Sequence, residues 1–174
     1  MTLANLEKIF LFLIILLLPT QLGRHFWPQF SFVYSLPIDY LSPTLYFWDI
    51  LVILLCLIFL LQANRINKLA LNLFFFFIVT QGLSMLSNIA NIGVGLTKLE
   101  QYFVAGLFGI YLSSRKFSRI KSVVFFALAF SVTGESILAI IQFLKESTLG
   151  LWLFGERTFT IATPGIAKFD FYGR

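Results

Sequence analysis

A chain of 174 residues that is 59% hydrophobic and only 12% charged stands apart from soluble domains, which average about 45–50% apolar and about 25% charged. One soluble core does not absorb that excess, so part of it must face lipid, and the chain reads as an all-α integral membrane protein. The formal net charge of +5 belongs to loop charges rather than to a basic patch interleaved with stacking aromatics, which excludes nucleic acid as a partner; a single cysteine, Cys56, excludes a disulfide framework and a cysteine-based metal site.

Five stretches approach the about 20 mainly apolar residues that a membrane-crossing helix needs. The first covers about 5–22, around the unbroken IFLFLIILLL from Ile9 to Leu18. A signal peptide competes for this segment, because Lys8 precedes a short apolar core. The following PTQLG lacks the small-residue pair of a cleavage site, so the segment is taken as a retained span.

After it comes QLGRHFWPQFSFVYSLPIDYLSPT, with Pro28, Pro37 and Pro43 inside it and Pro19 just before. The prolines preclude one long helix. Phe26, Trp27, Phe30, Phe32, Tyr34 and Tyr40 favour the headgroup boundary. Two readings stay open: an interfacial belt that anchors the loop, or a lid or wall over a lipid-linked substrate. His25 beside Arg24 reads as a loop residue rather than a base.

The second span, 46–61, is YFWDILVILLCLIFLL, with Asp49 about one turn inside its end as a helix cap. The third, 69–87, is built on FFFFIV and carries Asn72, Thr80, Gln81 and Ser84. A weaker fourth, 96–112, surrounds YFVAGLFGIYL; Lys98 and Glu100 sit at its start, and Ala105 and Gly109, with Gly106 beside them, form a small-xxx-small packing pair. The fifth, 123–144, holds Glu135 near its middle, where an ionised carboxylate is costly. Ser131, Ala139 and Gln142 share the face of Glu135 on a helix. This narrow stripe is expected to face the bundle interior, either as glue between helices or as a group lining a cavity.

Orientation follows from Lys and Arg near the span ends. The link after span two carries Arg65 and Lys68, and that after span four packs Arg115, Lys116, Arg119 and Lys121 into SSRKFSRIK. The other two links offer only Arg24 and Lys98. The amino terminus is therefore expected inside, and the tail beyond span five outside. Residues 1–150 form the transmembrane bundle and 151–174 the start of an extracytoplasmic segment. In that tail Thr158-Phe159-Thr160-Ile161-Ala162-Thr163 alternates like a strand before Pro164-Gly165 turns. Arg24, Arg157 and Lys168 are candidates to hold an anionic headgroup or a pyrophosphate; for Arg157 an ion pair with Glu156 is the competing reading. The phosphate-loop, HExxH, GxSxG and CxxC patterns are lacking, and no metal site is expected.

The runs LPTQLGRHFWPQFSFVYSLPIDYLSPTLYFWDILV, ESILAIIQFL and, most specifically, LFGERTFTIATPGIA resemble the amino-terminal part of bacterial O-antigen ligase and polymerase-like membrane proteins. That resemblance covers most of the chain, from about 18 to 167. It implies a multi-pass protein of the bacterial inner membrane that transfers a glycan from an undecaprenyl-pyrophosphate carrier to an acceptor glycan or lipid. The transfer uses no cofactor, metal or nucleotide. Its arginines hold the pyrophosphate, and a histidine in a large outside loop is the proposed base. None of these positions maps onto His25, Arg24 or Arg157. The catalytic residues, and the rest of the bundle that would partner these spans, are expected beyond Arg174, so the present 174 residues are expected to be a fragment that is inactive alone. Two other functions compete: a proton- or ion-coupled transporter or flippase working through Glu135, and a small non-enzymatic membrane assembly subunit.

Overall fold

The computed structural model of the chain describes residues 2–20, 22–38, 41–86 and 92–151. Among these, five helices account for most of the chain: α1 (Leu3–Leu16), α2 (Phe47–Leu61), α3 (Lys68–Leu86), α4 (Ile92–Ser114) and α5 (Phe117–Lys145). Between α1 and α2 lie four short strands, β1 (Gly23–His25), β2 (Phe32–Val33), β3 (Leu36–Pro37) and β4 (Thr44–Tyr46), with a single 3-10 turn at Gln29–Ser31. Of the expected spans, 46–61 falls on α2 with Tyr46 as its N-cap, 96–112 on α4 and 123–144 on α5, and the described part of 69–87 falls on α3, its last residue lying outside the described residues. Expected span one does not hold to residue 22. Its helix begins at an N-cap whose Thr2 hydroxyl accepts from the Asn5 amide and ends at Leu16, because Pro19 has no amide hydrogen to continue the ladder and disfavours helical backbone just before it.

α3 and α5 are long and apolar enough to cross a membrane, whereas α2 is apolar but shorter. α4 is long, but Thr97, Lys98, Glu100 and Gln101 make its first half polar. α3 contributes no buried residue to the bundle. Phe75 and Phe76 on it are each 69% exposed, and Phe143 on α5 is 75% exposed. Water penalises contiguous apolar faces of this kind and lipid accepts them.

The helices pack as a row: α1 against both α5 and α2, α2 against α4, and α4 against α3. Leu11 and Ile14 of α1, Val52 and Leu55 of α2, Tyr111 of α4 and Ala127 of α5 are almost completely enclosed and form the centre of the core. Rings fasten the layers, Phe12 against Phe130 across α1 and α5, and Phe74 against Phe103 across α3 and α4. Phe74 also presses on Gly106, where any added Cβ would collide with its ring, while Gly109 has open space around it. The close approach expected of the Ala105/Gly109 pair is therefore made one position along, because α3 crosses α4 over Gly106.

One end of this row is pinned by a buried ion pair. Glu7 of α1 and Arg115, just past α4, are about nine-tenths enclosed. The guanidinium meets the carboxylate side-on: Nε donates to Oε1 at 2.7 Å, and Nη2 donates to Oε2. The Tyr111 hydroxyl donates to Glu7 Oε1 at 2.8 Å, and Gln62 Nε2, at the end of α2, donates to Oε2 at 2.9 Å. Arg115 also donates to Asn64 Oδ1 and Gln62 Oε1, and lies 4.9 Å from the centre of the Phe59 ring. Beside this network Asn67 caps α3 by accepting from the Leu69 and Ala70 amides, while its own amide donates to Ser114. The amino ends of α1, α3 and α5 thus gather with the carboxyl ends of α2 and α4, and successive helices run in opposite directions.

The stripe on α5 is only partly turned inward. Ser131 is buried, Gln142 is half-buried, and Glu135 and Ala139 are exposed. The reason is length: at about 1.5 Å per residue the 14 residues of α1 cover about 21 Å, against about 44 Å for the 29 residues of α5. Starting from the same end, α1 stops near the level of Ser131.

Removing one member of the ion pair strands the other in a water-poor site, which costs about 3–5 kcal/mol, whereas replacing both with apolar groups of similar volume is close to neutral. Glu7→Leu and Arg115→Met should each lower the thermal midpoint of the detergent-purified chain sharply, and the double variant should recover most of the loss. Equal destabilisation by the double variant and by the sum of the singles would show that the two side chains do not depend on each other.

Candidate outer-end site

At the end opposite the ion pair, the loop of residues 22–46 is built onto the bundle by its own backbone. β1 and β4 pair antiparallel, with Gly23 opposite Tyr46, Arg24 opposite Leu45 and His25 opposite Thr44. Phe26 N–H to Pro43 O and Phe47 N–H to Leu22 O extend the ladder on both sides. Only glycine fits at position 23, where a Cβ would stand 2.8 Å from the Tyr46 ring. β2 and β3 form a two-residue hairpin in which Tyr34 and Ser35 both adopt positive φ, the geometry that matches strand twist; Tyr34 at its tip is 97% exposed. The 3-10 turn seats Phe30 against the backbone of α4 at Gly93, where an added Cβ would lie 2.5 Å from the ring.

Beneath this loop lies a cavity of about 360 Å³. Ser42 and Thr44, with Tyr46, Trp48 and Asp49 at the start of α2, form one side. Lys98 and Gln101, one helical turn apart on α4, form the other. Ser42, Thr44 and Asp49 are buried. The Asp49 carboxylate caps α2 by accepting from the Tyr46 amide at 2.8 Å, which fulfils the expected role. Lys98 Nζ donates to Gln101 Oε1 at 3.2 Å. Trp48 stands edge-on to Phe108, and its Nε1–H is buried with no acceptor among the described residues.

His25 is tied into the same wall: its Nδ1 lies 2.9 Å from Ser42 Oγ and 2.8 Å from Thr44 Oγ1. Thr44 Oγ1 also lies within donating distance of the Ser42 carbonyl, at 3.2 Å. Trp27 stacks on the imidazole at 5.7 Å. Here the histidine, at the end of β1, contacts two hydroxyls of the same wall.

Of the residues singled out from sequence, Arg24, His25, Asp49 and Lys98 lie at this end. Arg24 sits 5.7 Å over the Phe26 ring. Ser131, Glu135 and Gln142 belong to α5 and do not line the cavity. Arg157 and Lys168 lie outside the described residues. Ser42, Thr44 and Gln101 were not singled out; their available signals were a Ser-Pro-Thr step amid aromatics and a Lys98/Gln101 pair at i, i+3. Among the described residues no group of three or more His, Cys, Asp or Glu stands where it would hold a metal ion.

The loop's seat is testable. Gly93→Val should expel Phe30, a repacking penalty of about 1–3 kcal/mol, and raise chymotrypsin cleavage within residues 26–47 by about tenfold or more while leaving helix content unchanged. Unaltered cleavage would mean that Phe30 does not hold the loop. Comparison with protein-family models, curated proteins and solved structures gives no match to this chain.

Proposed function

We propose that this bundle belongs to a bacterial inner-membrane glycan ligase or polymerase. All five helices cross the membrane, the Glu7–Arg115 end is cytoplasmic, and the cavity end faces the exterior, where sugars on undecaprenyl pyrophosphate are handed to an acceptor glycan or lipid. The alternating helix directions support the orientation. They gather the amino terminus and the links holding Arg65, Lys68, Arg115, Lys116, Arg119 and Lys121 at one end, the arrangement favoured for cytoplasmic loops. Short helices such as α1 and α2 reach across by adding the loop and flanking residues to their length.

The chemistry rests on the resemblance of LFGERTFTIATPGIA and of the aromatic loop to the ligase and polymerase proteins. One observation supports it further: a polar, aromatic-sided cavity sits beneath that loop, at the end proposed to face the exterior. This favours the loop as a wall over a substrate site, with its exposed Phe32, Val33, Tyr34 and Leu36 reaching the lipid boundary. Arg24 borders the same end and is the described cation best placed for the carrier's phosphates. Cleavage of the sugar–pyrophosphate bond drives such a transfer, so no nucleotide is required on the outer face.

In a Cys56→Ala background, Tyr34→Cys should react with a membrane-impermeant maleimide on intact cells, and Lys116→Cys only after permeabilisation; the reverse pattern would overturn the orientation. Deleting the gene should remove a surface polysaccharide and leave its carrier-linked precursor accumulated. An unchanged polysaccharide and an unchanged carrier pool would overturn the transfer assignment.

A further inference from the structure

We propose that the cavity between β4, the first turn of α2 and α4 is a subsite for one neutral sugar ring, and that it excludes the phosphate-bearing end of the substrate. The inference rests on the glycan-transfer reading for the source of the sugar, but its ligand chemistry follows from charge, hydrogen-bonding capacity and size.

Charge decides first. The walls hold one cation, Lys98, and one anion, Asp49, and Glu100 brings a second negative charge within electrostatic reach of Asp49. A phosphate or pyrophosphate entering here would meet a carboxylate for every ammonium, and like charges juxtaposed in a desolvated site are costly. A quaternary ammonium would find Tyr46, Trp48 and Asp49 attractive, but Lys98 opposes it. A neutral ligand meets neither penalty.

Hydrogen-bonding capacity decides next. Gln101 Oε1 accepts from Lys98, which leaves the amide nitrogen of Gln101 and the remaining ammonium hydrogens as donors on the α4 side. Across the cavity one oxygen of Asp49 is taken by the Tyr46 amide, and the other is an acceptor. The Tyr46 hydroxyl can act either way. Donors on one wall and an acceptor on the other suit neighbouring hydroxyl groups, each of which gives one hydrogen bond and takes others. The Tyr46 and Trp48 rings offer flat apolar surface for the C–H face of a pyranose.

Size and rigidity complete the match. A volume of about 360 Å³ lies near the lower end of the about 300–1,000 Å³ usual for ligand pockets, which admits a single ring. The wall is set before any ligand arrives, since His25 fixes Thr44 and contacts Ser42, the β1–β4 ladder fixes the backbone, and Lys98 orients Gln101. Preorganised partners of this kind lower the ordering cost of binding.

Saturation-transfer NMR on the full chain in detergent micelles tests this with methyl galactoside, methyl glucoside and methyl N-acetylglucosaminide, against glucose 1-phosphate and choline. The neutral glycosides should receive saturation at millimolar concentration, with glucose 1-phosphate and choline at least about tenfold weaker. Gln101→Leu, and independently Lys98→Met, should reduce glycoside binding by about tenfold while the thermal midpoint stays in place. Tighter binding of glucose 1-phosphate or of choline would overturn the proposal, as would binding that both variants leave unchanged, or no binding by any glycoside. A gene deletion that removes the polysaccharide while no glycoside binds overturns the subsite and spares the transfer reading. Glycoside binding without any polysaccharide defect does the opposite.

Discussion

The constraint on which the bundle depends is that Glu7 and Arg115 must meet. Each is about nine-tenths enclosed, and leaving one of them buried without the other costs about 3–5 kcal/mol. Paired side-on and ringed by Tyr111, Gln62 and Asn64, they satisfy each other only when α1, the end of α2 and the end of α4 stand in one arrangement. Apolar packing alone would tolerate sliding of one greasy rod along another. A bidentate pair with three further polar partners does not, because a shift of one residue leaves several groups unpaired at once. The ion pair sets register; Leu11, Val52, Leu55 and Phe59 then supply the contact area.

What happens at the opposite end follows from helix length. With their near ends held level, α1 and α2, 14 and 15 residues long, extend only about 21–23 Å, short of the about 30 Å of a bilayer's hydrocarbon core. In the proposed orientation the remaining thickness is filled by the β1–β4 ladder and the hairpin. Strand pairing satisfies the paired backbone groups, and the edges it leaves open are tolerated only where they meet protein or a water-filled cavity rather than lipid; Phe32 and Tyr34 are exposed, whereas Phe30 packs on Gly93 and Tyr46 lines the cavity. Pro19 is the cause: by ending α1 early it makes room for a folded loop, and the gap between that loop and α4 becomes the cavity.

The helices were legible in the sequence because long apolar runs leave few alternatives, and four of the five stretches matched within a few residues, apart from an earlier start to the fifth. The first failed at its end, where the run of leucines outlasted the helix that Pro19 allows. The ion pair was not read at all. Glu7 next to Lys8 looks like a solvated helix start, although Glu7, Leu11 and Ile14 repeat at the spacing of one buried helix face. Nothing local distinguishes Arg115 from Lys116, Arg119 and Lys121; which of four cations turns inward is decided by contacts more than a hundred positions away in the chain. The cavity was half-legible. Asp49 and Lys98 stood out as charges at span ends, but Ser42, Thr44 and Gln101 acquire meaning only when β4 and α4 are brought together.

The two polar clusters are made of similar residues and differ in saturation, and that difference separates scaffold from site. At the Glu7 end four of the guanidinium's five N–H directions are taken by Glu7, Gln62 and Asn64, and both carboxylate oxygens accept twice. Such a network keeps a single guanidinium N–H in reserve, and it holds helices. The outer cluster has surplus capacity: an amide nitrogen on Gln101, hydrogens on Lys98 and an oxygen on Asp49, all bordering open volume. Buried polar groups are tolerated where they find partners, so walls that combine enclosure with unused donors and acceptors are completed by something that enters. The loop above them, pinned at Gly93 by one ring and joined to the start of α2 through the β1–β4 ladder, holds one wall of that volume in place.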